Sequence, residues 1–303
     1  VGYNCVVLIK QVPDTKRITG KAMNDDGTVN RAALAAIFNP EDLNALETAL
    51  QIKDKFGGKV SVMTMGLPAA AAVLRESLYR GADEAILVTD KRCAASDTLA
   101  TSYILSCAVR KLKFDIVLCG RQAIDGDTAQ VGPQLAEKLG IPQITYVEEL
   151  VELTERLITV RRNIGNGWQK VRGKLPILLT ITADANTPRA AAAKKMMKWK
   201  KALVPIEVRQ KISAENPGAD EDTIKSLIER KLENLEGRGL LMKQWDLDYL
   251  GADLNWCGRN GSPTKVHRIQ SVVLGAKESK NVEPSDEGVA GVIHELLEDK
   301  IIA

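Results

Sequence analysis

Phe114-Asp-Ile-Val-Leu-Cys-Gly-Arg-Gln-Ala-Ile-Asp-Gly-Asp-Thr-Ala-Gln-Val-Gly-Pro-Gln-Leu-Ala-Glu137 is an apolar strand, a glycine-bearing polar loop and a helix start in one stretch. In an open α/β sheet, ligands settle beyond the carboxyl ends of the strands, and this loop occupies such an end. A helix N-terminus offers unpaired N–H groups and a partial positive charge that suit phosphate or diphosphate. Gly126 and Gly132 let the backbone approach a ligand closely. The same residues also read as an ordinary connector. Asp127-Thr-Ala-Gln130 fits a capping box, with a helix expected over Thr128–Leu139. Asp125 and Asp127 repel a diphosphate unless they are turned away or engaged in capping.

Outward from this loop, short β-branched runs alternate with helical patterns. Strands are expected at Cys5–Ile9, Lys59–Thr64, Glu84–Thr89, Phe114–Cys119 and Pro176–Thr182. Helices are expected at Pro40–Phe56, Pro68–Tyr79 and Asp97–Leu112. This alternation predicts a doubly wound, mostly parallel α/β sheet. Arg156–Arg162 and Trp168–Arg172 flank Asn163–Gly167 and read as a hairpin. Asn39 and Pro40 open a helix as N-cap and first residue, and Ser96-Asp-Thr-Leu-Ala-Thr101 starts another; either start can face the crevice or simply cap.

The pattern changes near residues 183–190, which sets an expected division into a 1–185 α/β domain and a 186–303 arm and tail with little core of its own. A charged helix is expected over Asp220–Leu235 and a closing helix over about Asp286–Lys300. The chain has 303 residues, 45% of them hydrophobic, and a formal net charge of +3, too small to point to nucleic acid. No apolar run is long enough for a membrane span. The opening residues read as a strand, without the basic region of a signal peptide. Five cysteines without paired spacing suit reduced thiols in a cytoplasmic protein and leave no iron–sulfur or metal site, so any redox chemistry falls to an organic cofactor. The histidines, His267 and His294, lie in the tail, and no hydrolytic triad, P-loop or Gly-x-Gly-x-x-Gly fingerprint is present.

The loop Gly120–Pro133 resembles the nucleotide loop of electron-transfer flavoprotein β-subunits. Val7-Leu-Ile-Lys-Gln-Val-Pro-Asp14, Asn39-Pro-x-Asp-x-Asn-Ala-Leu-Glu47, Arg80-Gly-Ala-Asp-Glu-Ala85 and Val160-Arg-Arg-Asn-Ile-Gly-Asn-Gly-Trp168 are similar to that family in the same order. Gly165 departs from it, standing where an acid is usual. The resemblance implies a heterodimer with an α-subunit that carries FAD and exchanges electrons with a flavin dehydrogenase, such as an acyl-CoA dehydrogenase. Carried over by position, it implies cofactor contacts at Leu8, Asn39, Pro40, Glu41, Asp42 and Met65, and along the loop at Gly120, Arg121, Gln122, Ala123, Ile124, Asp125, Gly126, Asp127, Thr128, Ala129, Gln130, Val131 and Gly132.

The loop's Asp-Gly-Asp-Thr-Ala-Gln form, the start at Asp97, Thr98 and Thr101, and the tail motif Gly261-Ser-Pro-Thr-Lys-Val266 look like the electron-bifurcating branch. There a second FAD is implied in this chain, with NAD(H) beside it and ferredoxin as one acceptor; in the simple branch AMP takes its place. The family's docking arm falls at Pro188, Arg189 and Ala193. Ala193 replaces the usual apolar anchor, so Met196, Met197 and Trp199 are the expected contacts. Five lysines among residues 194–201 suit an acidic partner or a solvated helix.

Overall fold

In a computed structural model of the chain, residues 2–14, 34–264 and 281–298 are described. The frame is a nine-stranded sheet in the order β11-β5-β4-β1-β6-β10-β7-β8-β9. Its centre comprises β1 (Tyr3–Leu8), β4 (Gly58–Met65), β5 (Glu84–Val88), β6 (Ile116–Gly120) and β10 (Ile177–Ile181), all parallel. β7 (Gln143–Leu153) continues the parallel set, and β8 (Leu157–Asn163) and β9 (Trp168–Lys174) close one side as an antiparallel hairpin. β2 (Gln11–Pro13) and β3 (Ala36–Phe38) form a separate two-stranded ribbon.

Both faces of the sheet are buried, and the period-2 alternation of a strand explains how. Along β1, Cys5 and Val7 point into one apolar cluster, while Val6 and Leu8 point into the other. α1 (Pro40–Phe56) and α2 (Ala71–Arg80) cover the first face; α3 (Thr98–Val109) and α4 (Val131–Leu139) cover the second. The chain runs from β1 to β4 and β5 on one side, then returns to β6 on the other side of β1. That reversal between β1 and β6 is the topological switch point, where strand-end loops diverge and leave a crevice.

The segment after Ala185 joins this core. α5 (Ala193–Trp199) lies against α2, and α6 (Pro205–Glu215) buries Val208 and Ile212 in the first cluster. Arg75 on α2 pairs with Glu207 at 2.8 Å. α7 (Glu221–Gly237) follows, then β11 (Lys243–Trp245) extends the sheet parallel to β5. The short α8 (Leu247–Leu250) packs on the second face, and α9 (Asp286–Glu298) is the last described element. The expected closing helix runs past α9 into residues 299–300, outside the described residues. Among the described residues no helix is long and apolar enough to cross a membrane, and the five cysteines are free thiols.

Two elements beside the site differ from the sequence reading. The helix after the loop begins at Val131, not Thr128, because Asp127 and Ala129 have φ of 47° and 53° and interrupt any helical path. The expected capping box is therefore absent: Gln130 precedes α4 without a side-chain cap. β7, over residues for which no element is expected from sequence, is the strand that joins the hairpin to the parallel sheet.

Candidate functional site

The start of α1 fastens the glycine loop to the end of β1. Asp42, buried, accepts the backbone N–H of Lys10 at 2.8 Å through Oδ2 and that of Gly120 at 2.9 Å through Oδ1. One carboxylate thus bridges the two strand ends that flank the switch point. Burial pushes Asp42 up to about 7, against the opposing pull of the hydrogen bonds from Gly120, Asn39 and Lys10. Glu41 accepts the Gln122 N–H at 3.0 Å and pairs with Arg121 at 3.0 Å. Asn39 does not cap its own helix; its side chain reaches the loop, donating to the Gln122 carbonyl at 2.9 Å and accepting the Ile124 N–H at 3.2 Å. Pro40 completes the helix start at the first helical position.

The loop's two acids are both matched. Asp125 pairs with Lys10 Nζ at 2.8 Å, and Asp127 accepts from Gln122 Nε2 at 3.0 Å. Lys10 thereby reduces the repulsion that Asp125 offers an anionic ligand, whereas the neutral Gln122 amide leaves the charge of Asp127 in place. Lys10 was not singled out from sequence; the signal that points to it is the unbalanced negative charge of the loop. Close approach fixes two glycines: a Cβ at Gly120 would lie 2.6 Å from Asp42 Oδ1, and one at Gly132 would lie 2.9 Å from Cys119 Sγ. Space beyond Gly126 is open, with nothing within 4 Å of an added Cβ.

α3 and α4 both present their N-termini here. Thr98 Oγ1 donates to Gln130 Oε1 at 2.9 Å, tying one helix start to the other. Thr101 is half-buried one turn along α3, and Leu8 and Met65 end the adjacent strands β1 and β4. Ala123, Thr128, Ala129 and Val131 complete the loop around these contacts. Asp97, expected as a cofactor contact, also has partners within the chain. Its Oδ1 caps α3 at the Ala100 N–H, and its Oδ2 takes the N–H and hydroxyl of Thr264. Lys265, Val266 and His267 lie outside the described residues, whereas His294 stands near Glu298 on α9.

The arm residues separate into two groups. Arg189 is held inward by Glu47 at 2.8 Å and Asp54 at 2.8 Å, close to Pro188, and Trp199 packs against the core. Ala193, Met196 and Met197 are exposed, the methionines at 41% and 66%.

A parallel sheet whose switch-point crevice is bordered by a glycine-bearing loop and two helix N-termini defines a doubly wound α/β protein suited to a nucleotide. The chain belongs to the electron transfer flavoprotein family, as a β-subunit. Residues 26–204 match the electron transfer flavoprotein domain. Over 299 residues, 99% of this chain and 100% of the relative, it is 38% identical to the electron transfer flavoprotein subunit beta of Clostridium acetobutylicum. It is 48% identical over 182 residues, 59% of this chain and 67% of the relative, to the acryloyl-CoA reductase electron transfer subunit gamma of Anaerotignum propionicum. It is also 47% identical over 186 residues, 61% of this chain and 70% of the relative, to caffeyl-CoA reductase-Etf complex subunit CarD of Acetobacterium woodii.

Proposed function

We infer that the switch-point crevice binds FAD, that NAD(H) delivers an electron pair to it, and that the pair is divided. One electron goes to ferredoxin and the other, through the FAD of a partner α-subunit, to a flavin dehydrogenase. The supporting observation is the pair of helix starts joined by Thr98 and Gln130, with no side chain capping α4. Free first-turn N–H groups favour a diphosphate, and Lys10 already neutralises Asp125 beside them. Open space beyond Gly126 leaves the tip of the loop clear for a ligand. The relatives named for acryloyl-CoA and caffeyl-CoA reductases support the same reading.

When bound, the flavin supplies one- and two-electron chemistry. This chain's residues bind and orient it: Asn39, Glu41 and Asp42 hold the loop's path, and the Gln122–Gly132 segment with Thr98 and Thr101 forms the cradle. The test is the cofactor content of the purified heterodimer. Two FAD per heterodimer and NADH oxidation coupled to ferredoxin reduction are expected. One FAD plus one AMP, with no NADH oxidation, overturns the reading in favour of a simple electron carrier.

A further inference from the structure

A second cavity, of about 610 Å³, is bordered by Glu41, Arg121, Tyr146, Arg162, Asn163 and Asp184 among others. From the glycine loop only Arg121 borders it, so it is distinct from the crevice at the helix starts. Its volume falls within the range of small-molecule sites.

Three features of its wall are built rather than incidental. The first is Tyr146, a non-glycine residue at φ 58°. It sits where β7 bulges against β10: Leu179 and Ile181 are paired with Ile144 and Val147, so three steps on β7 face two on β10. The Tyr146 N–H donates to Thr180 Oγ1 at 3.0 Å, which holds this unfavourable conformation. Bulges of this kind re-aim a side chain, and here the half-exposed ring borders the cavity.

The second feature is Arg121, whose guanidinium lies 5.5 Å from the Tyr146 ring centroid and 3.0 Å from Glu41. The third is Arg162, positioned by a 3.0 Å bond from its terminal nitrogen to Thr145 Oγ1. Both guanidiniums keep a buried Nε–H without an acceptor. The wall carries two arginines and two acids, and Arg162 is the cation there with no acidic partner among the described residues. Glu41 has both oxygens engaged, by Arg121 and by the Gln122 N–H. The remaining acid on the wall, Asp184, is exposed. Arg161 nearby is already matched by Glu149 at 3.0 Å and adds no surplus.

We propose that this cavity is a second ligand site that takes the carboxylate or phosphate group of a small molecule, gripped by Arg121 and Arg162. Guanidiniums bind both oxyanions through paired N–H donors. The wall shared with the crevice, Glu41 and Arg121, puts such a ligand next to whatever occupies the nucleotide loop.

The test uses the heterodimer in phosphate-free buffer, titrated calorimetrically with inorganic phosphate, pyrophosphate and malonate. At least one probe binds the wild type, and Arg162→Gln weakens it about tenfold or more. The nucleotide released on denaturation stays as in wild type, so failure of the crevice reading registers separately. Arg162→Lys keeps the charge without the Nε donor and recovers only part of the affinity; it decides the case if the Gln variant folds poorly. A preference for phosphates over malonate assigns the group as phosphate, and the reverse assigns a carboxylate. Absence of binding by the wild type, or affinity unchanged in the Arg162 variants, overturns the proposal.

Discussion

Asp97 and Thr264, 167 residues apart, meet through one carboxylate oxygen: Asp97 Oδ2 accepts the Thr264 N–H at 3.0 Å and its hydroxyl at 2.6 Å. Nearby, the Asp97 N–H donates to Ser262 Oγ at 2.8 Å, and Ser262 is buried. Burial opposes the Asp97 charge, but the Thr264 and first-turn bonds outweigh it and hold the carboxyl below its ordinary range. The tail therefore clasps the start of α3, the same helix start that Thr98 ties to the glycine loop.

Removing this clasp loosens the crevice from a distance. Thr264→Val deletes one charge-assisted hydrogen bond and is expected to lower stability by about 1.5–3 kcal/mol. Nucleotide affinity falls with it, while Thr264→Ser preserves both. Urea denaturation and equilibrium dialysis with the released cofactor measure the two effects. A valine variant that loses stability but binds as tightly as wild type shows that the clasp supports the fold alone.

The parallel core was legible because each of its strands is a short apolar run bounded by turn residues, buried on both faces. β2, β3 and β11 are three residues each, too short for any period to register. β7 carries Glu148, Glu149 and Glu152 among its apolar residues, and its bulges break the alternation that marks a strand. In the site, the loop itself and its charge problem were visible in sequence. Its solution was not, because Lys10 and Asp125 are 115 residues apart and only the β1–β6 pairing brings them together. The capping-box reading failed for a local reason: Asp127 bonds to Gln122 and takes a left-handed conformation, so it is unavailable to a helix.

Asp42 and Glu84 give opposite pH signatures. Asp42 is raised from 3.8 to about 7 by burial, so the folded state holds its proton more tightly than the unfolded chain. Its contribution is full below about pH 4 and declines as pH rises toward 7. Asp42→Asn removes that slope and still lowers stability, because an amide cannot accept both N–H donors as well. The midpoint of urea denaturation across pH 4–8 reads both changes. A wild-type profile with the same slope as the variant counts against a protonated Asp42.

For Glu84 burial raises the pKa, but hydrogen bonds from Lys243, Lys59 and Ser61 outweigh it and hold it at about 2, against an ordinary 4.5. The folded-state value is depressed, so its stabilisation is present above about pH 4.5 and lost as pH falls toward 2. Because Lys243 lies on β11, the edge strand is expected to detach first in acid. Glu84→Gln lowers the melting temperature at pH 7 by a few degrees, about what 1 kcal/mol costs a chain of this size, and flattens the acid limb. Hydrogen exchange at Lys243–Trp245 localises the change. Protection there that is indifferent to pH between 5 and 3 contradicts the assignment.

Exposure divides the arm residues expected to anchor a partner. Met197 is 66% exposed on α5, while Trp199 packs on the core with Lys198 Nζ 4.4 Å from its ring centroid. A docking contact must be free before the partner arrives, and a flexible thioether suits an irregular partner surface. Met197→Ala is therefore expected to weaken binding of the partner dehydrogenase by about 1–2 kcal/mol, with the melting temperature unchanged. Trp199→Ala instead lowers the melting temperature, because it opens a cavity against α2 and the core. Charge reversal at Lys198, Lys200 and Lys201 slows association and reduces its dependence on salt, as expected for steering rather than for buried contacts. Surface-coupled dehydrogenase, with rates taken at two ionic strengths, separates the three variants. Equal losses of affinity in the Met197 and Trp199 variants, each with an unchanged melting temperature, would place Trp199 in the interface and contradict its role in the core.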